Sequence, residues 1–437
     1  MKGFALLLSL LLLLLLTLFG FSLLLMAGSH YASARSLFEN ENARIACESA
    51  AWFLVGAHNS ESGGPRFFQN PQSWSGEHMR PFDWNGYRVT GKLSAPWTAA
   101  ADNLFTLAAR KGTYQAQVQM TLRQRRPENF ALFADDVLTL PTASLVDGLV
   151  FVRNTLNLLQ PDVRFRGFVQ ADVFPMDFAS YRKKTLQTLD YPRLDTLLPF
   201  SELVQQAIVI GKDHLLFRKG DHYDLNLDSL TVSFRGENPF ILYQGVEIGK
   251  GTLLYFDDQL RVHQTNYLNP HPTAQQHDVP LYLFSSSEIV IESNLQPLQS
   301  GTRRHPLCFL TTDTIRLGPS MPRSCRIDAC LAALGGDTAS MVIEPGGTDL
   351  TSDEKETLVA EINSSTFLVE ALKQASFIDA VKSGEKTVWF RGSLLLGSSL
   401  QVPPELTELH FQASQASYSL LPSFPFVYVV EGSHQWR

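Results

Sequence analysis

The residues best suited to bind a metal form two groups of histidines and aspartates. The first comprises His263, His271, His277 and Asp278, and the second Asp213, His214, Asp221, His222 and Asp224. A zinc site needs three or four ligands that converge, and the spacings within the first group match no common zinc motif. In the second group, Asp213 and Asp221 flank glycines and favour tight turns. We therefore expect solvated loops, no metal and no other cofactor.

Two adjacent carboxylate pairs could in principle hydrolyse a glycosidic bond. They are Asp135-Asp136 and Asp257-Asp258. Each pair follows a short apolar run, at a turn position where acidic residues are favoured for conformational reasons. The sequence contains no His-Glu-x-x-His, Gly-x-Ser-x-Gly or phosphate-loop motif, and Gly245–Gly251 lacks the spacing of a dinucleotide fingerprint. We therefore predict no catalytic residues and a protein that is not an enzyme.

The four cysteines leave a disulfide open. Cys325 and Cys330 lie in one predicted strand, with Cα atoms about 16 Å apart, which is too far for a bond between them. Cys308 could reach either of them from a neighbouring strand in an oxidising compartment. Cys47 lies among small residues, and we expect it to pack within a helix interface.

Composition limits the partners of this 437-residue chain. The formal net charge of −7 gives no electrostatic reason to expect a nucleic acid. A hydrophobic content of 44% provides ample core. The apolar residues are concentrated at the N-terminus, where Lys2 is the only charged side chain before Arg35.

The apolar segment Phe4 to Ala27 predicts a membrane-spanning helix. As a helix it is roughly 36 Å long, which exceeds a bilayer core of about 30 Å. Lys2 should keep the start in the cytoplasm, so the rest would lie outside the bacterial inner membrane as a single-pass protein. The alternative is a signal peptide cleaved at Ala32-Ser33-Ala34, although apolar signal regions have only about 7–15 residues.

Residues 35–57 continue this segment as an amphipathic helix. On a helical wheel, small and apolar residues share one sector about 120° wide. These residues, for which we predict helix packing, are Ala43, Ala46, Cys47, Ala50, Phe53, Leu54 and Ala57. Glu41, Arg44 and Glu48 lie opposite, at spacings suited to ion pairs. The sequence thus predicts one helix over residues 4–57, about 80 Å long.

The N-terminus resembles that of type IV prepilins, in the stub Met1-Lys2-Gly3 followed by Phe4-Ala5-Leu6-Leu7 and a long apolar helix. Residues 43–51, ARIACESAA, resemble the first helix of PilX-type minor pilins. The resemblance implies cleavage by a prepilin peptidase between Gly3 and Phe4. It also implies partners among other pilin-like subunits and the pilus assembly machinery.

One residue departs from the prepilin pattern. Major pilins carry a Glu at the fifth mature position, which neutralises a neighbour's amine, and this chain has Leu8 there. An uncompensated amine in an apolar bundle is costly. This favours a minor pilin over a bulk filament subunit, and it equally permits a membrane-anchored protein outside any filament. For Leu8 itself we predict packing within the helix bundle.

A recurring phrase predicts β-strands in the remainder of the chain. An apolar run, a short turn and an alternating apolar segment recur at 131–140, 150–158, 241–248, 254–262, 282–291, 308–317 and 388–396. We expect a β-solenoid over 113–345, because hairpin dipeptides are almost absent, with Asn85-Gly86 the exception. The alternative is an antiparallel sandwich. Residues 245–255 and 327–336 resemble solenoid ectodomains found behind PilX-like N-termini, a resemblance that implies architecture only.

The other segments complete the predicted domain organisation. Residues 1–3 form a leader stub, and residues 58–112 form a linker and a mixed subdomain, with one short helix at Thr98–Arg110. Residues 346–384 form a helical insertion that begins with the capping box Thr351-x-x-Glu354, and Leu197–Ile208 is a further helix. Residues 385–437 complete or cap the solenoid. Whether the helices cover an edge or end of the sheets or decorate the surface stays open.

The fold class is therefore mainly β, with a long transmembrane and amphipathic helix before a solenoid-like ectodomain with helical insertions. We expect a non-catalytic, membrane-anchored, pilin-like protein, a minor pilin or an assembly component of a type IV pilus or related secretion filament. The alternatives are a signal-anchored or secreted solenoid that binds or degrades cell-surface polysaccharide, and an envelope scaffold that polymerises end to end.

Overall fold

The computed structural model comprises two compact units, one formed by Met1–Gln124 with Val429–Arg437 and the other by Arg125–Tyr428. The residues that it describes are 2–60, 74–75, 77–94, 103–125, 130–141, 143–160, 163–167, 169–173, 208–210, 222–227, 231–234, 240–241, 252–264, 281–300, 303–334, 340–344, 346–364, 371–413 and 429–436. The predicted fold class, a long apolar helix before a mainly β chain with short helices, is confirmed.

Helix α1 runs from Lys2 to Ser60 without interruption, over 59 residues. It is long and apolar enough to cross a membrane. No proline or charged run breaks its first half, so the backbone hydrogen bonds continue from the apolar segment into the amphipathic one.

An antiparallel sheet completes the first unit. Its strands are β1 (Trp74–Ser75), β2 (His78–Met79), β3 (Phe82–Trp84), β4 (Tyr87–Leu93), β5 (Asn103–Lys111), β6 (Tyr114–Arg125) and the C-terminal strand Val429–Trp436, which lies beside β6. Asn85 and Gly86 have positive φ and form the β3–β4 hairpin, as their sequence favours. Buried and exposed side chains alternate along β4, so one face of the sheet is the core face.

The helix predicted at Thr98–Arg110 is wrong. Residues 103–111 form β5, paired with β4 and β6. Phe105, Leu107 and Ala109 are fully buried, whereas Leu104 and Arg110 are exposed. This alternation has the period of a strand, and it outweighs the helix propensity of the Leu and Ala residues.

Mostly parallel strands build three sides of the second unit. One side is a nine-stranded sheet, the second combines an eight-stranded sheet with a separate two-stranded one, and the third is a five-stranded sheet. The first contains β7 (Phe130–Ala134), β10 (Leu149–Val152), β13 (Val169–Gln170), β14 (Ile208–Ile210), β18 (Thr252–Phe256), β20 (Leu281–Ser285), β24 (Leu307–Thr311), β27 (Ala329–Ala333) and β30 (Ser393–Leu396). The strands along the second side are β8 (Leu138–Leu140), β11 (Leu156–Leu158), β15 (His222–Asn226), β16 (Thr231–Phe234), β17 (Phe240–Ile241), β19 (Gln259–His263), β21 (Ile289–Ile291), β25 (Ile315–Leu317), β28 (Met341–Ile343) and β31 (Leu400–Gln401). The third contains β9 (Ala143–Asp147), β12 (Arg164–Phe165), β26 (Ser324–Ile327), β29 (Lys386–Arg391) and β32 (Leu406–Gln412).

The strands follow one another in coils. The coils over β7–β12 and β24–β32 pass through the first sheet, the second side and the third sheet in turn, whereas β18–β21 alternate between the first sheet and the second side. The predicted phrases at 131–140, 150–158, 254–262, 282–291 and 308–317 each supply a strand of the first sheet and the next strand along the second side. The phrase at 388–396 differs, because β29 belongs to the third sheet and β30 to the first. The phrase at 241–248 lies mostly outside the described residues. Antiparallel pairing occurs at β15–β16–β17 and in a hairpin of β22 (Leu298–Ser300) and β23 (Arg303–His305).

The coils do not stack in the order of the sequence. The first sheet has the order β13-β10-β7-β30-β27-β24-β20-β18-β14. The first coil therefore lies inside the stack, between the second coil and the last one. The last coil fills the middle of the stack, where β30 pairs with β7 and β32 with β9.

The boundaries differ from the expected domains at both ends of the stack. The strand over residues 114–125 belongs to the antiparallel sheet, so the first parallel strand begins at Phe130 and not near residue 113. The strand Val429–Trp436 joins the antiparallel sheet of the first unit and is not a strand of the stack.

Helices α2 (Ser352–Ser364) and α3 (Ala371–Ser383) cover the outer face of the third sheet. Their contact is an apolar cluster of Leu145, Leu350, Leu358, Ile362, Phe377, Val381 and Trp389. The predicted capping box is present, since the backbone amide of Thr351 donates to the Glu354 carboxylate at 2.8 Å. The helix predicted at Leu197–Ile208 lies outside the described residues except for Ile208, which begins β14.

Candidate functional site

The first half of α1 is apolar on every side and unburied. Leu8 is 55% exposed and Phe4 is 75% exposed, and the leucines between them and Met26 are at least half exposed where they are described. Gly3, the predicted processing residue, lies in the first turn of the helix beside Phe4. A helix with no polar face, exposed over this length, has the character of a membrane span.

The second half of α1 packs on the antiparallel sheet of its own unit. Of the residues predicted for helix packing, Ala43, Ala46, Cys47, Ala50 and Leu54 are buried. The thiol of Cys47 donates to the carbonyl oxygen of Leu107 on β5 at 3.3 Å. Small side chains allow the helix to approach the sheet closely, and the predicted stripe is therefore occupied within this chain.

The buried face is rotated from the predicted sector. Phe53 remains 52% exposed, with its ring 4.7 Å from that of Trp84, whereas Ala51 and Val55 are buried. At 100° per residue this is a rotation of about 50°. Ala51 and Val55 are apolar and four residues apart, the spacing of one helix face, and they lay outside the predicted sector.

A second apolar stripe runs along the exposed side of the same helix. Its residues recur every seventh position: Leu24, Tyr31, Phe38 and Ile45, with exposed fractions of 72%, 70%, 66% and 53%. On the wheel this stripe lies roughly opposite the face that packs on the sheet. An apolar residue at every seventh position is half of the heptad pattern of helices that wind around each other, and the positions three residues further on are Ala27, Ala34 and Glu41. The predicted packing sector does not include this stripe, because that sector covers only the other side of the helix.

Charged residues hold the helix against the sheet and flank the stripe. The Glu39 carboxylate is 3.4 Å from the Lys111 ammonium and accepts a hydrogen bond from the Tyr87 hydroxyl at 3.3 Å. Arg44 and Glu41, predicted to form an ion pair on the helix surface, are 3.8 Å apart. Such exposed pairs contribute at most about 1 kcal/mol, so apolar packing dominates this contact.

The adjacent aspartates lie at corners of the stack and bind their neighbours. Asp135 is 2.9 Å from the Arg153 guanidinium, and Asn154 donates to Asp136 at 2.5 Å, in each case across a repeat of 18 residues. The other pair behaves similarly. Asp257 accepts from the Tyr223 hydroxyl at 3.0 Å, and Asp258 from the backbone amide of Gln259 at 2.8 Å. Both pairs lie in the turns between strands, as the sequence predicts.

The predicted histidine groups lie largely outside the described residues. His263 is on β19, whereas His271, His277 and Asp278 are not described. Of the second group, His222 and Asp224 lie on β15, and Asp213, His214 and Asp221 are not described. Within the described part of the chain, no three His, Cys, Asp or Glu side chains are placed to share a metal ion. Gly245–Gly251 is also outside it.

All four cysteines are described and buried, and none of them forms a disulfide. Cys308 and Cys330 are register partners on neighbouring parallel strands, so Cys330 and not Cys325 is the neighbour of Cys308. Cys325 lies in the core between the sheets, where burial raises the pKa of its thiol to about 12.

Comparisons with known proteins leave the family open. No family model matches the chain, and no curated protein matches it. A solved structure, the competence-associated pilin ComZ from Thermus thermophilus, aligns over 93% of this chain and 98% of that chain, with 10% sequence identity and a TM-score of 0.28. A TM-score this low does not establish a shared fold.

Proposed function

We propose that this chain is a pilin-like membrane protein, a minor component or assembly factor of a type IV pilus or a related secretion filament, without catalytic activity. The observation that carries the proposal is the two-part character of α1. Its first half is apolar all round, and its second half has one face on its own sheet and a second apolar stripe that faces outward.

Solvation energy supports a membrane position for the first half of α1. Burial of one leucine or phenylalanine side chain from water stabilises a protein by about 1.5–3 kcal/mol. If the side chains from Leu6 to Met26 stayed in water, all of this stabilisation would be absent. Insertion into a bilayer removes these side chains from water. Lys2 then lies on the cytoplasmic side of the inner membrane, and both folded units lie on the other side.

The exposed stripe supports contact with the helix of another pilin-like subunit. Helices inserted from the same side run parallel, and apolar residues at every seventh position stay on one face when such helices wind around each other. Tyr31, Phe38 and Ile45 continue the contact beyond the bilayer. Leu8 has no carboxylate that could neutralise the N-terminal amine of a neighbouring subunit. This favours a minor subunit over one that repeats along a filament.

The mature N-terminus tests the processing step. We expect intact-mass analysis of the membrane-extracted protein to show a chain that begins at a methylated Phe4, and a Gly3→Val variant to keep Met1. If the wild-type chain keeps Met1, the helix is not processed as in a prepilin and acts as a simple membrane anchor. A start at or after Arg35 would establish a cleaved signal peptide and end the proposal.

The proposal that the chain degrades polysaccharide gains no support from the described carboxylates. Asp135, Asp136, Asp257 and Asp258 each bind a neighbouring group at a corner of the stack. A glycosidase needs two carboxyl groups that face one substrate, one of them free to donate a proton.

A further inference from the structure

The antiparallel sheet of the first unit has one face that α1 does not cover. The side chains on this face alternate with the buried ones along β4, β5 and β6. At the hairpin end of β5 and β6 they border a groove of about 790 Å³. The groove is lined chiefly by Arg88, Thr90, Arg110, Gln115 and Gln117.

Two arginines stand directly opposite each other in this groove. Arg88 on β4 and Arg110 on β5 are register partners, so their Cα atoms are about 5 Å apart. Like charges at such positions destabilise a sheet. Asp83 is the register partner of Arg88 on its other side, and neither arginine forms an ion pair with any described residue. The Nε–H of Arg110 donates to the carbonyl of Gly112, which orients the guanidinium.

Apart from Asp83, the neighbouring polar side chains in these rows carry neutral hydrogen-bonding groups. Gln115 is the register partner of Arg110, and Thr90 and Gln117 are both partners of Ala108 in the next row. Guanidinium groups bind carboxylates through two parallel hydrogen bonds, and amide and hydroxyl groups bind sugar hydroxyls. The groove therefore combines groups that bind an anion with groups that bind neutral hydroxyls.

We propose that this groove binds an acidic oligosaccharide, whose carboxylates contact Arg88 and Arg110 and whose hydroxyls contact Thr90, Gln115 and Gln117. A nucleic acid fits less well, because it needs many cations along its backbone, and the lining of this groove offers two, Arg88 and Arg110. The proposal uses the sheet of the first unit only and does not depend on whether the chain enters a filament.

Titration calorimetry with the full chain in detergent tests the proposal, with short oligogalacturonates as the probe. We expect saturable binding, and at least about tenfold weaker binding for the double variant Arg88→Gln/Arg110→Gln. Both side chains are exposed, so the variant should fold normally, which circular dichroism checks. Arg80→Gln removes an exposed charge of the same unit outside the groove and should bind as the wild type does.

Four outcomes would overturn the proposal. They are no binding of oligogalacturonate, equal binding of neutral galacto-oligosaccharides, unchanged affinity of the double variant, and tighter binding of single-stranded DNA of the same charge. None of these bears on the mature N-terminus, so the failure of this proposal is distinguishable from failure of the proposed function.

Discussion

Arg326 is fully buried on β26, a rare position for an arginine. Its guanidinium contacts the carboxylates of Asp328 and of Glu361 on α2, and it lies 5.9 Å from the ring centre of Trp389. Asp328 also pairs with Arg391 at 3.3 Å. These contacts join the third sheet to the helices that cover it. They compensate, at least in part, for the loss of water around the charges.

Replacement of Arg326 by Met should destabilise the second unit by about 3 kcal/mol, because Glu361 and Asp328 lose a buried cationic partner. Denaturant unfolding followed by tryptophan fluorescence measures the change. The control is Arg323→Met, since Arg323 is 43% exposed beside Asp349 and should contribute less than about 1 kcal/mol. Equal changes in unfolding free energy for the two substitutions would show that the buried ion pairs of Arg326 stabilise the unit no more than an exposed pair does.

At the scale of elements, the contact between α1 and its sheet depends on small side chains. Ala43, Ala46 and Ala50 present methyl groups to the sheet, and Leu54 and Val55 fill the space near the end of the helix. The helix therefore has a narrow, flat face toward β5, and a larger side chain there would force the two apart.

Ala50→Leu should destabilise the first unit by about 1–3 kcal/mol, because the extra atoms have no space against the sheet. Hydrogen exchange of the β5 amides, at residues 103–111, should then be faster. Ala34→Leu is the matched control, since Ala34 is exposed on the same helix and the larger side chain meets nothing there. Unchanged exchange in the Ala50 variant would show that this helix face is not closely packed.

At the scale of the whole molecule, the coil order gives the second unit a central seam. The segments that meet there, Phe130–Ala134 and Ser393–Leu396, are far apart in the sequence. Strands β7 and β30 each have a parallel neighbour on both sides, whereas β13 has one among the described strands. In a stack of this kind the stability of a coil depends mainly on its immediate neighbours.

The seam should be the most protected part of the second unit. We expect the amides of β7 and β30 to exchange only on global unfolding, and those of β13 earlier. Leu394→Ala should cost about 2–5 kcal/mol and reduce protection in β7 as well as in β30, because Leu394 is buried and is the register partner of Leu132. Leu159→Ala, at a 66% exposed leucine, should change neither. Protection lost in β30 alone would contradict the observed coil order.

Local patterns determined much of this protein. The uninterrupted apolar segment predicts the long helix, and Thr351 with Glu354 predicts the start of α2. An apolar run followed by alternation with period two predicts paired strands of the first sheet and the second side, but not the third-sheet strands β9, β12, β26 and β32. Each of these signals depends on neighbours within a few residues, so the sequence alone contains it.

Only the tertiary structure decided which elements meet. Hydrogen bonds between parallel strands involve the backbone and carry little sequence information, so nothing in the residues of β7 indicated β30 as its neighbour. The same holds for the sheet that covers Ala51 and Val55, for the strand at 103–111 and for the row of Arg88 and Arg110. In each case the deciding contacts join residues distant in the chain, and the energy of burial outweighs local preference.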